Sequence, residues 1–127
     1  MSETWKPIAG YEGSYEVSSL GRIKSLPRKG AGGRILKAHL SKDGYPVVTL
    51  CVSNRKLTRP VHHFVASAFI GKPDTRVEVN HKNFDKTDNR HDNLEWITHA
   101  DNLRHAMAHF PLMNIATRFN LINNNST

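Results

Sequence analysis

Cysteine is almost absent from this chain of 127 residues, which contains only Cys51. A single cysteine cannot form an internal disulfide, and it excludes a zinc ribbon built from cysteines. The apolar neighbours of Cys51 predict that its side chain is buried as a small hydrophobic group. Internal repeats and low-complexity tracts are also lacking before the C-terminal tail.

Long apolar runs are missing as well. No segment approaches the roughly 18 residues that a membrane-spanning helix needs, and the N-terminus lacks the hydrophobic region of a signal peptide. We therefore expect a cytoplasmic protein. Hydrophobic residues make up 38% of the chain, which predicts a modest globular core rather than disorder.

Acidic residues are scarce in the first part of the chain. The formal net charge is +7, and residues 1–79 carry 13 Lys and Arg against six acids, whereas residues 80–127 carry five of each. Between Arg22 and Arg59, ten cations face one acid, Asp43. Such a stripe suits contact with a phosphate backbone. A solvated basic surface without a partner has the same composition, so charge alone leaves the partner open.

The first part of the chain has the alternation and turn signals of short strands. Residues 22–26 alternate polar and apolar, and Asp43-Gly44 predicts a turn before the β-rich residues 45–52. Pro60 is suited to open a helix because its missing N–H costs nothing there. Gly71 and Pro73 are expected to end that helix. Its apolar positions follow helical spacing: Val61, Phe64, Val65, Ala68 and Phe69.

The second part predicts the order strand, loop, strand, helix. Residues 77–81 and 94–97 have strand character, and the polar loop 82–92 between them is rich in Asn and Asp. Thr98, with Asp101 three residues later, predicts the N-terminal cap of a helix that runs to about Phe110 and stops at Pro111. One face of this helix carries Asn102, His105 and His109. We expect a weak helix at 114–120 and disorder at 123–127.

These motifs, in this order, resemble the HNH (ββα-metal) endonuclease family, particularly its phage and intron homing-endonuclease branch. The matching stretches are 60–69 (PVHHFVASAF), 79–82 (VNHK), 86–90 (KTDNR), 93–98 (NLEWIT) and Asn102. Residues 5–18 and 21–23 are similar to the small NUMOD-type module that often precedes these nucleases. The resemblance implies an α+β fold: a basic short-stranded β module at 1–55, then a helix and the ββα-metal nuclease motif at 56–110. Residues 111–127 would be a partly disordered tail.

The resemblance also implies roles for individual residues. His81 matches the general base, because a neutral imidazole accepts a proton near pH 7. Asn80 and Asn102 match metal-ligand positions, where an amide oxygen suits one Mg²⁺ or Mn²⁺ ion. Family members often carry Asp or His at the first of these positions, so two neutral ligands predict weak metal binding without DNA. Asn93 is expected to hold the 82–92 loop, and His105 to contact the scissile phosphate or to be an ordinary helix residue.

Several basic residues are candidates for contact with double-stranded DNA, although Arg90 and Arg104 would equally be ordinary solvated side chains. The candidates are Arg22, Lys24, Arg28, Lys29, Arg34, Arg55, Lys56, Arg59, Arg90 and Arg104. The adjacent pair His62–His63 invites a zinc interpretation, but neighbouring helix residues point in different directions. We expect His62 to be packed and hydrogen-bonded.

The resemblance therefore implies a metal-dependent DNA endonuclease, which we expect to act as a monomer or homodimer in the cytoplasm of a bacterial or phage-infected host cell. One alternative is a DNA-binding protein derived from an HNH nuclease with reduced catalysis, which the two neutral ligands favour. Another is a His-based zinc protein with a structural role. Homing relatives often carry a further C-terminal DNA-reading module, and we expect none in a tail this short.

Overall fold

The computed structural model describes residues 2–28, 32–71 and 77–109, and it has the α+β architecture that the sequence predicts. The elements before the first helix are short strands: β1 (Trp5–Pro7), β2 (Tyr15–Ser18), β3 (Ile23–Ser25), β4 (Arg34–Ile35), β5 (His39–Leu40), β6 (Pro46–Val52) and β7 (Arg55–Pro60). The remaining elements are α1 (Val61–Phe69), β8 (Glu78–His81), a 3₁₀ turn (His91–Asn93), β9 (Leu94–Ile97) and α2 (His99–His109). Among the described residues, neither helix has the length and hydrophobicity of a membrane-spanning segment.

The strands form three antiparallel sheets, in the orders β1-β2-β3-β4, β5-β6-β7 and β8-β9. A two-residue turn joins β6 to β7, since Val52 pairs with Arg55. Ser53 and Asn54 both have positive φ there. A two-residue hairpin turn needs such angles at both positions, because only then does its twist match that of the flanking strands. Residues 53 and 54 therefore form a tight hairpin turn.

One hydrophobic core joins the three sheets through α1. Its buried residues come from both ends of the chain, including Val17 and Ile23 from the first sheet and Val79 and Leu94 from the last. Val65 and Ala66 of α1 are fully buried in it. Because α1 packs on β2, β6, β7, β8 and β9, it fixes the last sheet relative to the basic strands. The boundaries at residues 55 and 110 stay predictions.

Cys51 corrects the sequence analysis, because its side chain is exposed rather than buried. It lies on β6, where Val48 and Leu50 are buried and Thr49 and Cys51 face outward. Side chains alternate between the two faces of a strand, so the neighbour of a core leucine must point to the other side. The backbone of Cys51 is nevertheless held in place, since the Tyr15 hydroxyl accepts from its N–H at 2.9 Å and donates to its carbonyl at 3.1 Å.

Candidate active site

The candidate site is built on β8, β9 and α2, which form the predicted strand, loop, strand and helix. The register pairs Asn80 with Glu95 and His81 with Leu94. At the start of α2, the Thr98 side chain accepts from the backbone N–H of Asp101 at 3.1 Å. The predicted cap is thus confirmed, and it places Asn102 in the first turn of α2. The predicted stop at Pro111 and the tail lie outside the described residues.

His81 ends β8 and is buried, with only 1% of its surface exposed. Its Nε2 lies 2.7 Å from the side-chain oxygen of Asn89. An amide oxygen only accepts hydrogen bonds, so this contact places the proton on Nε2 and makes Nδ1 the basic nitrogen. This is the tautomer in which an imidazole held by a hydrogen bond at one nitrogen can accept a proton at the other.

His62 of α1 packs edge-on against His81, with 4.9 Å between the ring centroids. The Tyr45 ring lies 5.2 Å from His62 and 6.1 Å from His81, so the three rings form one cluster. Burial, helped by nearby His81 and His63, lowers the pKa of His62 to about 3. Neither ring nitrogen of His62 has a hydrogen-bond partner among the described residues. The packing prediction for His62 is confirmed, whereas the predicted hydrogen bonding is wrong.

Asn93 connects both ends of the loop between β8 and β9. Its side-chain nitrogen donates to the Asn83 side chain at 2.9 Å and to the Asp88 carbonyl at 2.8 Å. Its side-chain oxygen accepts from the Asn83 backbone at 3.2 Å, and its carbonyl accepts from the Lys82 backbone at 2.8 Å. These bonds fix the chain immediately after His81. The loop also brings Asn89 back to the imidazole.

Asn80 and Asn102 are both buried, with 0% and 2% of their surface exposed. The Asn80 amide donates to Glu95 at 3.0 Å, and the Asn102 amide donates to Glu78 at 2.7 Å. Glu78 also lies 3.4 Å from Nδ1 of His99. Both candidate metal ligands therefore have a carboxylate directly beside them. Sequence analysis missed this charge, because only strand register and helix packing reveal it.

His105 lies one turn after Asn102 and stacks on Phe84, with the ring planes 9° apart and 4.5 Å between centroids. His109 stacks on the same ring at 4.1 Å. Phe84 has a φ of +64°, a conformation that costs energy in a bulky residue. The aromatic stack fastens the loop to α2, so a structural role for His105 is supported directly. Its contact with a phosphate stays a prediction.

Two family models match the chain. The one described as the NUMOD4 motif matches residues 3–51, and the one described as HNH endonuclease matches residues 59–104. Among solved structures, "DNA binding and cleavage by the HNH homing endonuclease I-HmuI" superposes with a TM-score of 0.78 at 33% identity, over 94% of this chain and 66% of that chain. This chain belongs to the HNH endonuclease family.

The curated relatives of this HNH protein are viral. DNA endonuclease I-HmuI of Bacillus phage SP01 is 36% identical over 104 residues, covering 82% of this chain and 58% of the relative. H-N-H endonuclease F-TflII of Escherichia phage T5 is 30% identical over 101 residues, covering 78% and 50%. An uncharacterized HNH endonuclease, L245 of Acanthamoeba polyphaga mimivirus, is 37% identical over 107 residues, covering 84% and 31%. The chain spans less than two thirds of the length of each relative.

Several basic residues of this HNH protein are already paired with acids. Arg22 donates to Glu3 at 2.8 Å, and this lowers the pKa of the Glu3 carboxyl to about 2. Lys24 lies 3.3 Å from Glu16. Arg90 pairs with Asp88 at 2.8 Å, and Arg104 pairs with Asp101. These cations are partly neutralised within the protein.

Arg28 is held by the protein more extensively than the other basic candidates. Its guanidinium donates to five acceptors within 3.3 Å: Ser14 O, Ser25 Oγ, Leu26 O, Tyr15 OH and Cys51 O. It also lies over the Tyr15 ring. Arg28 therefore ties the first sheet to β6, and its donors are largely used inside the protein. Lys29 lies outside the described residues.

The other basic candidates are exposed on β4 and β7 and have no acidic partner among the described residues: Arg34, Arg55, Lys56 and Arg59. Arg34 also lines a shallow pocket of about 220 Å³ together with Lys37 and His39. The first and second sheets thus both carry cations without an acidic partner among the described residues.

Proposed function

We propose that this HNH protein is a metal-dependent DNA endonuclease that hydrolyses phosphodiester bonds with His81 as the general base. The observation that carries the proposal is the hydrogen bond between His81 Nε2 and the Asn89 side chain. His81 directly follows Asn80, which is a candidate metal ligand. In the reaction, His81 Nδ1 accepts a proton from the attacking water. A bond forms from the water oxygen to phosphorus and the bond to the 3′ oxygen breaks. The leaving 3′ oxygen takes a proton from solvent, so that a 5′-phosphate and a 3′-hydroxyl result.

HNH nucleases depend on divalent metal, and the candidate ligands in this chain suit one. Asn80 and Asn102 offer hard amide oxygens, which Mg²⁺ and Mn²⁺ accept, and each amide is buried and held by a carboxylate. We propose a single Mg²⁺ or Mn²⁺ at these residues. When bound, it would stabilise the charge that develops on the phosphate and the leaving oxygen. Among the described residues, no three His, Cys, Asp or Glu are placed to hold a metal, so the zinc interpretation finds no site there.

We infer that double-stranded DNA lies against the unpaired cations of β4 and β7, which contact phosphates and position the duplex. The protein then acts in the cytoplasm of the infected cell, as a monomer or homodimer. The names of its relatives support this partner, since I-HmuI is described as binding and cleaving DNA.

A plasmid-nicking assay tests the proposed function. Purified protein and its His81→Ala variant are incubated with supercoiled DNA and Mg²⁺ or Mn²⁺, and DNA binding is measured in parallel. We expect His81→Ala to abolish cleavage and leave binding nearly unchanged, since it removes only the proton acceptor. Met107→Ala is the control, because this exposed residue of α2 has no role in the proposed chemistry. Equal cutting by wild type and His81→Ala would refute the mechanism.

One observation favours a second candidate function. The two candidate ligands are neutral amides, so the protein could bind DNA with reduced catalysis. The same assay separates the two proposals: a wild type that binds DNA but leaves plasmid uncut with either metal is the outcome that this alternative requires.

A further inference from the structure

Each candidate metal ligand donates a side-chain hydrogen bond to a glutamate. Glu95 accepts from the Asn80 side chain at 3.0 Å, and Glu78 accepts from the Asn102 side chain at 2.7 Å. Both asparagines are almost completely buried. A repeated pairing between a buried amide and an acid, at the only two positions that we assign to the metal, calls for a common explanation.

The backbone places these groups together. Glu78 and Asn80 are two residues apart on β8 and therefore face the same side of the sheet. Glu95 is the cross-strand partner of Asn80, and directly opposed residues share a face. Asn102 approaches this face from the first turn of α2. Two carboxylates and two amides thus meet between the β8-β9 sheet and the helix.

The chemistry of the contact fixes the orientation of each amide. A carboxylate accepts hydrogen bonds but cannot donate them, so the NH₂ group of each asparagine must face its glutamate. The carbonyl oxygen then lies on the other side of the planar amide, where it can coordinate a cation. Hydrogen bonds of this kind, from a metal-ligand side chain to a neighbouring carboxylate, orient the ligand and increase its basicity.

We propose that Glu78 and Glu95 are positioning residues of the metal site, which aim the amide oxygens of Asn102 and Asn80 and supply the negative charge that these neutral ligands lack. The inference rests on the proposed function, since it takes the two asparagines as metal ligands. It places the charge of the site one hydrogen bond away from the cation instead of on the ligands themselves.

Binding of Mn²⁺ to the full chain without DNA tests the inference. Electron paramagnetic resonance measures free Mn²⁺ during a titration of wild type, Glu78→Gln and Glu95→Gln. Glutamine keeps the shape and removes the charge, and we expect each variant to bind Mn²⁺ about 10–100-fold more weakly. Glu12→Gln is the control for net charge, because this exposed glutamate lies in a turn of the N-terminal region. Thermal unfolding of all four proteins checks that folding is preserved.

A charge exchange separates positioning from a purely structural role. Asn80→Asp alone should lower the melting temperature of the metal-free protein, because two carboxylates would then meet at hydrogen-bond distance. Adding Glu95→Gln should restore the melting temperature and also recover Mn²⁺ binding to at least the wild-type level. A purely structural role of Glu95 predicts that Glu95→Gln lowers the melting temperature and leaves Mn²⁺ binding at the wild-type level, and that result overturns the inference.

The remaining outcomes are also decisive. If both Gln variants bind Mn²⁺ like the wild type, or if the wild type itself binds none, the inference is wrong, whether or not the protein nicks plasmid. If the Gln variants and the charge exchange behave as expected while wild type leaves plasmid uncut, the inference holds and the proposed nuclease activity fails.

Discussion

At the scale of single residues, His81 illustrates what sequence reasoning can and cannot reach. Its position at the end of a strand follows from local pattern, and the HNH resemblance singles it out. Its hydrogen-bond partner, Asn89, lies eight residues away across an irregular loop. No periodicity connects such positions, so the sequence places Asn89 in the matching stretch 86–90 but gives it no function. The structure adds that role, since Asn89 selects which nitrogen of His81 carries the proton.

Replacing Asn89 by alanine tests this role. We expect Asn89→Ala to slow single-turnover cleavage about 10–100-fold, as for other residues that orient a reacting group. It should also lower the free energy of unfolding by about 1–3 kcal/mol, because a buried imidazole nitrogen loses its partner. Imidazole ¹⁵N spectra would show whether the Nε2–H tautomer is lost. Asp92→Ala removes an exposed side chain near the same loop, and cleavage slowed equally by both variants would contradict a specific role for Asn89.

His62 gives the molecule a stability that depends on pH. Its pKa is about 3 in the folded protein and about 6.5 when unfolded. Between these values the unfolded chain binds more protons, so stability falls as pH decreases from 6.5 toward 3 and is fully present above 6.5. The groups that face it are Tyr45, His81 and, more distantly, His63.

Urea unfolding of wild type and His62→Leu at pH 7 and pH 5 measures this contribution. Leucine has a similar volume and cannot titrate, so we expect the variant to lose clearly less stability than wild type on going to pH 5. His39→Leu, at an exposed position on β5, should keep the wild-type pH dependence. An equal loss in wild type and His62→Leu would show that other groups cause the acid sensitivity.

At the scale of elements, the helix starts and the strand at 94–97 were predictable because their signals are local. The strand at 94–97, the cap at Thr98 and the helix beginning after Pro60 follow from alternation, capping chemistry and helical spacing. The pairing of Asn80 with Glu95 depends on cross-strand register, which spans fifteen residues. Register and helix packing are non-local, and for that reason the two glutamates beside the candidate metal ligands were missed.

The loop between β8 and β9 behaves as one element held by Asn93. We expect Asn93→Ala to lower the free energy of unfolding by about 1–3 kcal/mol, since Asn83 and Asp88 lose buried partners. Amide hydrogen exchange should accelerate at Asn83, whose N–H donates to the Asn93 side chain, and cleavage should fall. Asp92→Ala changes an exposed neighbour in the same 3₁₀ turn and should leave the exchange unchanged. Retained protection of Asn83 in Asn93→Ala would argue against this function of Asn93.

At the scale of the whole molecule, the basic residues of the first part of the chain fall into two groups, those paired with acids and those without an acidic partner among the described residues. Composition predicts a basic first part, but it cannot distinguish cations that face solvent from cations that are paired. The structure makes that distinction: Arg22 and Lys24 lie beside acids, whereas Arg55 and Lys56 follow the β6-β7 turn with no acidic partner among the described residues. Equal formal charge therefore should not give equal DNA affinity.

The salt dependence of DNA binding compares these two pairs directly. Each phosphate contact contributes about 0.9 to the slope of log K against log salt concentration. Replacing Arg55 and Lys56 by glutamine should therefore reduce the magnitude of the slope by up to about 2. Replacing Arg22 and Lys24 removes the same charge from ion-paired positions and should change the slope much less. Fluorescence anisotropy with a labelled duplex at several salt concentrations measures both. An equal change in the two double variants would mean that net charge, rather than the unpaired surface of β7, determines how the protein holds DNA.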